Sequence, residues 1–388
     1  MRITIVNGFF LPVPAVSGGS TEKAWHRLAR EFAARGHEVV SISRRWPGFP
    51  DDETIDGVRH LRLPGFTHHH SLVRNLILDF RWCLRVHRAL PPADIVVCNV
   101  VALPVWLGRI RPRAGKVVVV CGRLPKGQYR HYARIARVIA ASEFVAESVV
   151  AENPALASVV RTTGYPMDWS LFSQPGPTPP AAVVPPAAAN ELTLGFVGRI
   201  HEEKGLMLLA DALRLVNATP GLPRWRLLLC GPTDVARGGS GPEFRERLLQ
   251  KLSAAIGTGR FHLLEPQFDD HVLAGVYRSM DIFCYPSLAT KGETFGVAVA
   301  EAMAAGAVPV VSNLACFQAF LHDDENGLVF DHAAADAPAR LAGQIVRLLG
   351  DAGLRQRLAP AARAATRPYD FPRFAEYLLD DFAGLIGG

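Results

Sequence analysis

The chain has 388 residues, of which 49% are hydrophobic and 20% are charged; this predicts two or three globular domains and excludes a disordered protein. The net charge of +6 is uneven: residues 1–170 hold 23 Lys and Arg against 13 Asp and Glu (+10), and the remainder hold 19 against 23 (−4). The basic first half indicates an anionic partner. Because no nucleic-acid recognition module is present, a membrane surface or a phosphate-bearing acceptor fits better.

The chain also has the features expected of a cytoplasmic protein. No apolar run reaches the ~18 residues that a membrane span needs. The opening residues 1–8 predict a short strand and a loop, not a signal peptide. Six cysteines without a C-x-x-C pair are expected to be reduced and mostly buried thiols. Cytoplasmic localisation is therefore expected, with peripheral contact on the inner face of the cytoplasmic membrane as a further possibility.

Strands alternate with helices in the first half, which predicts a parallel sheet. The predicted elements are strand Ile3–Val6, a helix from Thr21 to Ala34, and strands Glu38–Ser43, Ile95–Cys98 and Val117–Val120. Residues 173–190 contain six prolines and five alanines, which is typical of a linker or an exposed loop.

The second half repeats the alternation and predicts a second doubly wound sheet. The predicted elements are strand Leu192–Val197, helix Lys204–Val216, strand Arg226–Leu229, helix Glu243–Ile256, strands Phe261–Leu264 and Ile282–Tyr285, a small-residue helix that starts near Val297, and strand Val308–Val311. The fold class is therefore α/β with two Rossmann-like domains, residues 1–172 and 191–369.

Two glutamates, Glu293 and Glu301, stand eight residues apart around the start of the small-residue helix. Unpaired amides at a helix N-terminus can hold a phosphate. Glu293 precedes these amides, and Glu301 follows on roughly the same helical face. One carboxylate could then take sugar hydroxyls and the other ribose hydroxyls. By itself the pattern is equally compatible with a capped helix that carries two incidental glutamates.

Two loops carry further candidates for anion binding. Arg199 follows Gly198 at a strand end, and Lys204 is predicted to begin the next helix, so both cations could converge on one anion. Ordinary surface residues are the alternative. Gly18 and Gly19 lie between a strand and a helix, where missing side chains permit close approach of a phosphate or sugar. A plain turn is the alternative there.

Five motifs in this order resemble the retaining, nucleotide-sugar-dependent glycosyltransferases of family 4, which have the GT-B fold. The likeness covers nearly the whole chain and is strongest from Leu192 to Phe330. The motifs are S17-G-G-S20 with R35-G-H-E-V39; G198-R-I-H-E-E-K-G205; M280-D-I-F-C-Y-P-S287; K291-G-E-T-F-G-V-A-V-A-E-A-M-A-A-G306; and N326-G-L-V-F330.

The resemblance implies two domains that face each other across a cleft, with a helix at about 370–388 crossing back to the first. Arg199 and Lys204 would stabilise the leaving diphosphate, Glu293 would orient the sugar and Glu301 would hold the ribose. Donor contacts are implied for Gly18, Gly19, Gly198, Phe295, Gly296 and Val297, and the loop with Gln267 and Phe268 would border the base. No metal or other cofactor is expected.

Two positions depart from the family pattern. Cys121 stands where a histidine close to the transferred sugar is usual, and Arg123 could supply a donor to the sugar or phosphate instead. Both would lie on the sugar or acceptor side of the site. Residues 317–321 lack a glutamate that is often found there. Donor identity is therefore open between UDP and GDP sugars.

The resulting expectation is a retaining glycosyltransferase that moves a sugar from a nucleoside-diphosphate-sugar to an acceptor hydroxyl, lipid-linked or anionic. Its setting would be bacterial polysaccharide, glycolipid or glycosylated-metabolite biosynthesis. The alternative is a non-catalytic nucleotide-sugar-binding partner of another transferase, motivated by Cys121.

Two weaker patterns remain in the first half. Residues 68–70 are three histidines, for which a solvated loop is favoured over a metal site. A predicted helix has one apolar stripe, with basic residues on or near another face. The stripe could pack in the core, or it could lie on anionic lipid. Its residues are Val73, Leu76, Ile77, Phe80 and Leu84, and the basic residues are Arg74, Arg81, Arg85 and Arg88.

Overall fold

The computed structural model describes residues 1–16, 19–111 and 114–387, which form two compact α/β units. The first unit comprises residues 1–167 together with the C-terminal helix, and the second unit comprises Asp168–Asp370. Gly18, for which a donor contact is predicted, lies outside the described residues.

The first unit is built on an eight-stranded sheet with the order β3-β4-β2-β1-β5-β6-β7-β8. Neighbouring strands are parallel except for the antiparallel pair β3–β4. The strands are β1 Arg2–Val6, β2 Glu38–Arg44, β3 Asp52–Ile55, β4 Val58–Leu63, β5 Ile95–Cys98, β6 Lys116–Cys121, β7 Arg137–Ala140 and β8 Val160–Thr162. The helices are α1 Ser20–Ala34, α2 Leu72–Ala89, α3 Leu103–Ile110 and α4 Glu143–Glu152.

The second unit is built on a six-stranded parallel sheet with the order β11-β10-β9-β12-β13-β14. Its strands are β9 Leu192–Val197, β10 Trp225–Cys230, β11 Phe261–Leu264, β12 Ile282–Tyr285, β13 Val308–Ser312 and β14 Leu328–Phe330. The remaining helices are α5 Trp169–Ser173, α6 Leu206–Asn217, α7 Pro242–Ile256, α8 Asp270–Arg278, α9 Val297–Ala305, α10 Ala337–Gly350, α11 Ala352–Thr366 and α12 Phe371–Gly387.

Each sheet has a topological switch point, the place where the winding of the chain changes direction. It lies between β1 and β5 in the first sheet and between β9 and β12 in the second. Loops that leave the carboxyl ends of such a strand pair separate and leave a crevice, which is the usual ligand site of open α/β sheets. The topology therefore directs attention to the loops after β1 and β5 and after β9 and β12.

The prediction that Lys204 begins a helix is wrong by two residues. Lys204 ends a 3₁₀ turn, Glu202–Lys204, and α6 begins at Leu206. Gly205 separates the two in the left-handed conformation (φ 68°), and a Cβ at this position would lie 1.8 Å from the carbonyl oxygen of Pro286. Only glycine allows the loop after β9 to approach the loop after β12 this closely.

The proline-rich stretch 173–190 lies within the second unit and not between the units. Val184 is buried, and the Pro185 carbonyl accepts a hydrogen bond of 2.6 Å from Arg226 Nη1 on β10. Prolines bring no backbone N–H that would need a partner, so this stretch can lie against the sheet without regular structure.

The C-terminal helix α12 belongs to the first unit, where it packs against α1. The rings of Phe32 and Phe382 meet edge to face with centroids 6.2 Å apart. Arg137 at the start of β7 forms a two-pronged ion pair with Asp381, with bonds of 2.8 and 2.6 Å. Six buried apolar residues and an ion pair thus anchor α12 in the first unit; the apolar residues are Phe371, Phe374, Ala375, Leu378, Leu379 and Phe382.

The apolar stripe of α2 is exposed, so of the two alternatives given for it, the one in which it packs in the core is wrong. The inward face of α2 instead consists of Asp79, Trp82, Cys83 and Val86. The Trp82 indole donates a hydrogen bond of 3.1 Å to the Asn7 carbonyl, and the Asp79 carboxylate accepts one of 2.7 Å from the Ala102 amide. The exposed residues, which we call the α2 outer face, are Leu72, Val73, Leu76, Ile77, Phe80 and Leu84. Among the described helices, none combines the length and the apolar content of a membrane span.

Two histidines lie side by side between α1 and β4, His26 half-buried and His60 buried. The rings of His26 and His60 lie 5.5 Å apart, and His60 is fully buried. Neither ring nitrogen of His60 has a hydrogen-bond partner among the described residues. Burial, with help from neighbouring positive charge, lowers the pKa of each histidine to about 4. Both rings are therefore held neutral in the folded protein.

Candidate active site

The centre of the candidate site is the carboxylate of Glu293, in the loop between β12 and α9. Glu293 is 8% exposed, and its Oε1 accepts hydrogen bonds from three side chains. They are Lys204, Tyr285 at 2.9 Å and Ser287 at 3.2 Å. All three donors use Oε1, and no residue in the part of the chain that the structure describes donates to the other oxygen, Oε2. The network holds the carboxylate in one orientation.

Lys204 is paired with Glu293 in a buried ion pair, and its side chain is 7% exposed. Its ammonium also lies 5.4 Å from the ring centre of Tyr285. Burial and the neighbouring Glu293 carboxylate raise the pKa of the Tyr285 hydroxyl, so that this group remains a hydrogen-bond donor. The site thus contains a desolvated cation and a desolvated anion that neutralise each other.

Arg199 lies on the more open side of the same loop. Its Nη2 donates to Glu203 Oε1 at 2.6 Å, and its Nη1 donates to the Gly238 carbonyl at 3.1 Å. Gly198, with φ 153°, places Arg199 directly after β9, beside the end of β10. The two cations predicted to converge on one anion therefore each have a carboxylate partner in this structure.

Gly296 is the N-cap residue of α9. Gly296 adopts φ 93°, and a Cβ here would lie 2.4 Å from the Phe317 ring. No side chain caps the helix; the amides of Val299 and Ala300 bond to the Gly296 carbonyl, and the amides of Val297 and Ala298 precede these first intrahelical bonds. Phe295 is 2% exposed and packs against Phe320 and Tyr369, which fixes the start of the helix. Val297 is the first helical residue.

Glu301 is held in the same way as Glu293, by a tyrosine hydroxyl. Tyr277 on α8 donates a hydrogen bond of 2.9 Å to Glu301 Oε2, and burial raises the pKa of that hydroxyl. The ring of Phe283 lies between the two tyrosines, 5.8 Å from Tyr277 and 5.9 Å from Tyr285. A buried aromatic row therefore fixes the separation of the two carboxylates.

The loop after β11 presents the two residues predicted to border a base. Phe268 is 67% exposed, which is unusual for a large aromatic side chain. Gln267 Nε2 donates a hydrogen bond of 2.9 Å to the Glu265 carbonyl, and Asp269 caps α8. Hydrogen bonds therefore hold the residues before and after Phe268, and its ring is exposed to solvent.

The first unit contains a separate cavity of about 330 Å³ at its switch point. Cys121, Arg123 and Gly19 line it, together with residues of the loops after β1 and β5. Burial raises the pKa of the Cys121 thiol to about 11, and the thiol donates to the Arg123 carbonyl at 3.2 Å. The Cys121 thiol is therefore protonated and weakly reactive.

Gly19 has a structural reason to be glycine beyond turn formation. Its φ is 104°, and a Cβ would lie 2.4 Å from Glu22 Oε2. Glu22 also lines the cavity, and burial raises the pKa of its carboxyl.

Two of the three consecutive histidines contact the first turn of α2. His69 contacts Arg74 at 3.0 Å, and His68 contacts Asn75 at 3.2 Å. Among residues 1–16, 19–111 and 114–387, no group of three or more His, Cys, Asp or Glu side chains is placed to hold a metal ion.

The structure brings Arg199, Lys204, Glu293 and Gly296 together around the β9–β12 switch point. Cys121, Arg123 and Gly19 belong to the first unit. Sequence reasoning missed the roles of Tyr285, Ser287 and Glu203. Tyr285 and Ser287 lie in the quoted motif M280–S287, so the signal was visible, but nothing in that motif indicated that their hydroxyls meet Glu293.

Two α/β units, each built on a mainly parallel sheet, are characteristic of the GT-B class of glycosyltransferase folds. Sucrose-phosphate synthase from Thermosynechococcus elongatus has the same fold, with a TM-score of 0.78 and 22% identity over 100% of this chain and 99% of that one. Residues 191–351 match the family model for glycosyl transferases group 1. The second unit therefore carries a domain of that family, and the resemblance of the chain to the family 4 glycosyltransferases is confirmed.

Curated relatives agree with this assignment. The phosphatidyl-myo-inositol mannosyltransferase of Mycobacterium tuberculosis (strain ATCC 25618 / H37Rv) is 34% identical over 200 residues, 50% of this chain and 48% of the relative. The D-inositol 3-phosphate glycosyltransferase of Xylanimonas cellulosilytica is 30% identical over 265 residues, 64% of this chain and 60% of the relative. The chain spans between about half and three fifths of the length of these relatives.

Proposed function

We propose that the protein is a retaining glycosyltransferase that uses a nucleoside-diphosphate-sugar donor and needs no metal ion. The observation that carries the proposal is the group of charges at the β9–β12 switch point. There, Arg199, the Lys204–Glu293 pair and the uncapped start of α9 lie on adjoining loops. Cations and helix amides suit a diphosphate, and a fixed carboxylate oxygen suits sugar hydroxyls.

In the proposed reaction the bond between the anomeric carbon and the diphosphate oxygen breaks, and the acceptor oxygen bonds to that carbon on the same face. The leaving phosphate oxygen takes the acceptor proton. Arg199 and the amides at Gly296 and Val297 stabilise the charge that grows on the diphosphate. Glu293 Oε2 accepts from sugar hydroxyls, and Glu301 holds the ribose. These contacts lower the barrier because they stabilise the charge of the transition state more than that of the ground state.

The acceptor is proposed to be a hydroxyl group of an inositol-based or related compound, in glycolipid, polysaccharide or glycosylated-metabolite biosynthesis. The names of the two relatives support this class. The cavity of the first unit, at the other switch point, is the proposed acceptor side, with Cys121 and Arg123 among its lining residues.

Thermal denaturation with a panel of UDP- and GDP-sugars tests the proposal, because a ligand that binds only the folded protein raises its stability. One of the sugars is expected to raise the melting temperature and to be hydrolysed slowly without an acceptor. A protein that only binds the donor for another transferase would be stabilised without hydrolysis. If no nucleotide sugar changes the melting temperature, the proposed function is wrong.

Arg199→Ala is expected to lower donor turnover by about two orders of magnitude, as loss of one preorganised charge contact typically does. Folding should be little affected, because the Arg199 side chain is 43% exposed and its ion pair with Glu203 lies at the surface. Steady-state hydrolysis or transfer rates provide the measurement. Arg237→Ala, which removes another exposed arginine of this unit paired with Asp234, is the matched control. Equal rates for the two variants would contradict the role of Arg199.

We also propose that the first unit binds an anionic membrane surface through the α2 outer face. Six large apolar side chains stand exposed on one helix, which is unusual for a soluble protein. Arg74, Arg81 and Arg88 are exposed on the same helix, within a chain half of net charge +10. An apolar face bordered by arginines suits the boundary between acidic headgroups and acyl chains. Arg85 is occupied elsewhere: it packs on the Phe66 ring and donates to the Pro64 carbonyl.

The double variant Leu76→Ser/Ile77→Ser is expected to lose most of its binding to vesicles that contain acidic lipid. Both side chains are exposed, so folding should survive. Arg74→Gln/Arg88→Gln should weaken binding by about 1 kcal/mol per charge, and more salt should weaken it further. Cosedimentation with vesicles is the measurement, and Tyr377→Ser, an exposed position on α12, is the control. A wild type that ignores acidic vesicles at low salt would contradict the proposal and favour a soluble acceptor.

A further inference from the structure

Glu203 lies between the two loops that form the candidate site. Its backbone carbonyl accepts a hydrogen bond of 2.7 Å from the Leu288 amide, and its amide donates to His201 Nδ1 at 3.2 Å. Its side chain reaches Arg199, with Oε1 2.6 Å from Nη2. Its other oxygen is 3.6 Å from the position of a Cβ on Gly292, in the loop that carries Glu293. The backbone of Glu203 is thus fixed, and its carboxylate projects beside the open side of the site.

This carboxylate conflicts with the ligand proposed for Arg199. A nucleoside diphosphate brings its own negative oxygens to the guanidinium, whose Nη2 already donates to Glu203 and whose Nη1 donates to the Gly238 carbonyl. Two anions cannot occupy the same end of one guanidinium at hydrogen-bond distance, and like charges at a few ångströms repel each other. The Glu203 side chain is 33% exposed, so it is free to rotate toward solvent while its backbone stays in place.

We infer that the Glu203 carboxylate occupies, on Arg199, the place that the donor diphosphate takes, and that it returns to Arg199 when the nucleoside diphosphate leaves. The inference rests on the proposed function. Glu203 is then a positioning residue: it keeps the guanidinium extended beside the site when no ligand is bound, and it competes with the product for that guanidinium. The ion pair is exposed and therefore weak, which is the property that an exchangeable contact needs.

Glu203→Gln tests the inference through the affinity for UDP and GDP, measured by calorimetry at low salt. The variant keeps the size of the side chain and removes the competing charge. Whichever nucleotide the wild type prefers is expected to bind the variant about three- to tenfold more tightly, and the gain should shrink as salt screens the charges. Mere structural damage would weaken binding, not strengthen it.

Glu202→Gln is the matched control, because it makes the same charge change one residue away. Glu202 is 63% exposed and pairs with Arg247 at 2.7 Å. It should leave the affinity for the nucleotide within about twofold of wild type, because its exposed pair lies apart from Arg199. Equal or weaker nucleotide binding by Glu203→Gln, or an equal gain in both variants, would overturn the inference while leaving the proposed function intact. A wild type that binds neither nucleotide would instead defeat the proposed function, and the inference with it.

Discussion

Lys204→Met is expected to lower turnover by about two to three orders of magnitude and the free energy of unfolding by about 3–5 kcal/mol. The first effect follows from the loss of a preorganised positive charge next to the proposed diphosphate site. The second follows from burial: Lys204 is 5% exposed and Glu293 is 8% exposed, so removal of one partner leaves an uncompensated charge inside the protein. Turnover and urea denaturation are the two measurements.

The double variant Lys204→Met/Glu293→Gln separates these effects. It removes both charges, so it should regain most of the lost stability while turnover stays low. Lys251→Met is the control, because its ion pair with Asp211 is about one third exposed and its loss should cost about 1 kcal/mol or less. Near-normal turnover of Lys204→Met would rule out the catalytic role, and a double variant no more stable than the single one would rule out the electrostatic explanation.

Acidification from pH 7 to pH 4.5 is expected to destabilise the first unit by several kcal/mol through His26 and His60. The pKa of each is about 4 when folded, below the value of about 6.5 expected for an unfolded chain. Between these values the unfolded state binds more protons, so stability is present above about pH 6.5 and is lost as the pH falls toward 4. Each histidine can contribute up to about 3 kcal/mol.

His60→Leu should reduce this pH dependence by about half, because leucine cannot take up a proton. Urea denaturation at several pH values between 7 and 4.5 measures it. His131→Gln, at an exposed position of the same unit, should leave the pH dependence unchanged. An identical loss of stability on acidification in wild type and His60→Leu would contradict the role of the buried pair.

Short apolar runs were the strongest signal for strands, although the buried strand β7, Arg137–Ala140, was missed. The bounds of β5, β9, β11 and β12 agree with the prediction at every residue. β3 and β4 were also missed, because Asp52–Ile55 and Val58–Leu63 mix charged and apolar residues. β3 lies at the edge of the sheet and none of its four residues is buried, so its sequence carries a weaker apolar pattern.

The helix α2 illustrates a limit of a different kind. Its apolar stripe was recognised, but periodicity alone does not say which of two faces packs inside. Asp79 and Trp82 lie on the buried face because both form hydrogen bonds there. The Asp79 carboxylate accepts from the Ala102 amide, and the Trp82 indole donates to the Asn7 carbonyl. Such partners lie far away in the sequence and become apparent only in three dimensions.

In the candidate site, too, the sequence indicated the residues but not their contacts. Arg199, Lys204 and Glu293 could be found because they occupy motif positions after strand ends. The pairing of Lys204 with Glu293 joins residues 89 positions apart, and the pairing of Arg199 with Gly238 joins residues 39 positions apart. No local pattern encodes those contacts, so the sequence could indicate the charges but not their neutralisation by one another.

The path of the chain makes the second unit an insertion within the first. The chain enters it at Asp168 and leaves it at Asp370. These two ends lie side by side: Ser170 Oγ donates to Asp370 Oδ2 at 2.7 Å, and the Phe371 amide donates to the Met167 carbonyl at 3.1 Å. A single cassette could therefore be exchanged between related proteins with two cuts, as domain grafting requires, and a short peptide would reconnect the remaining ends.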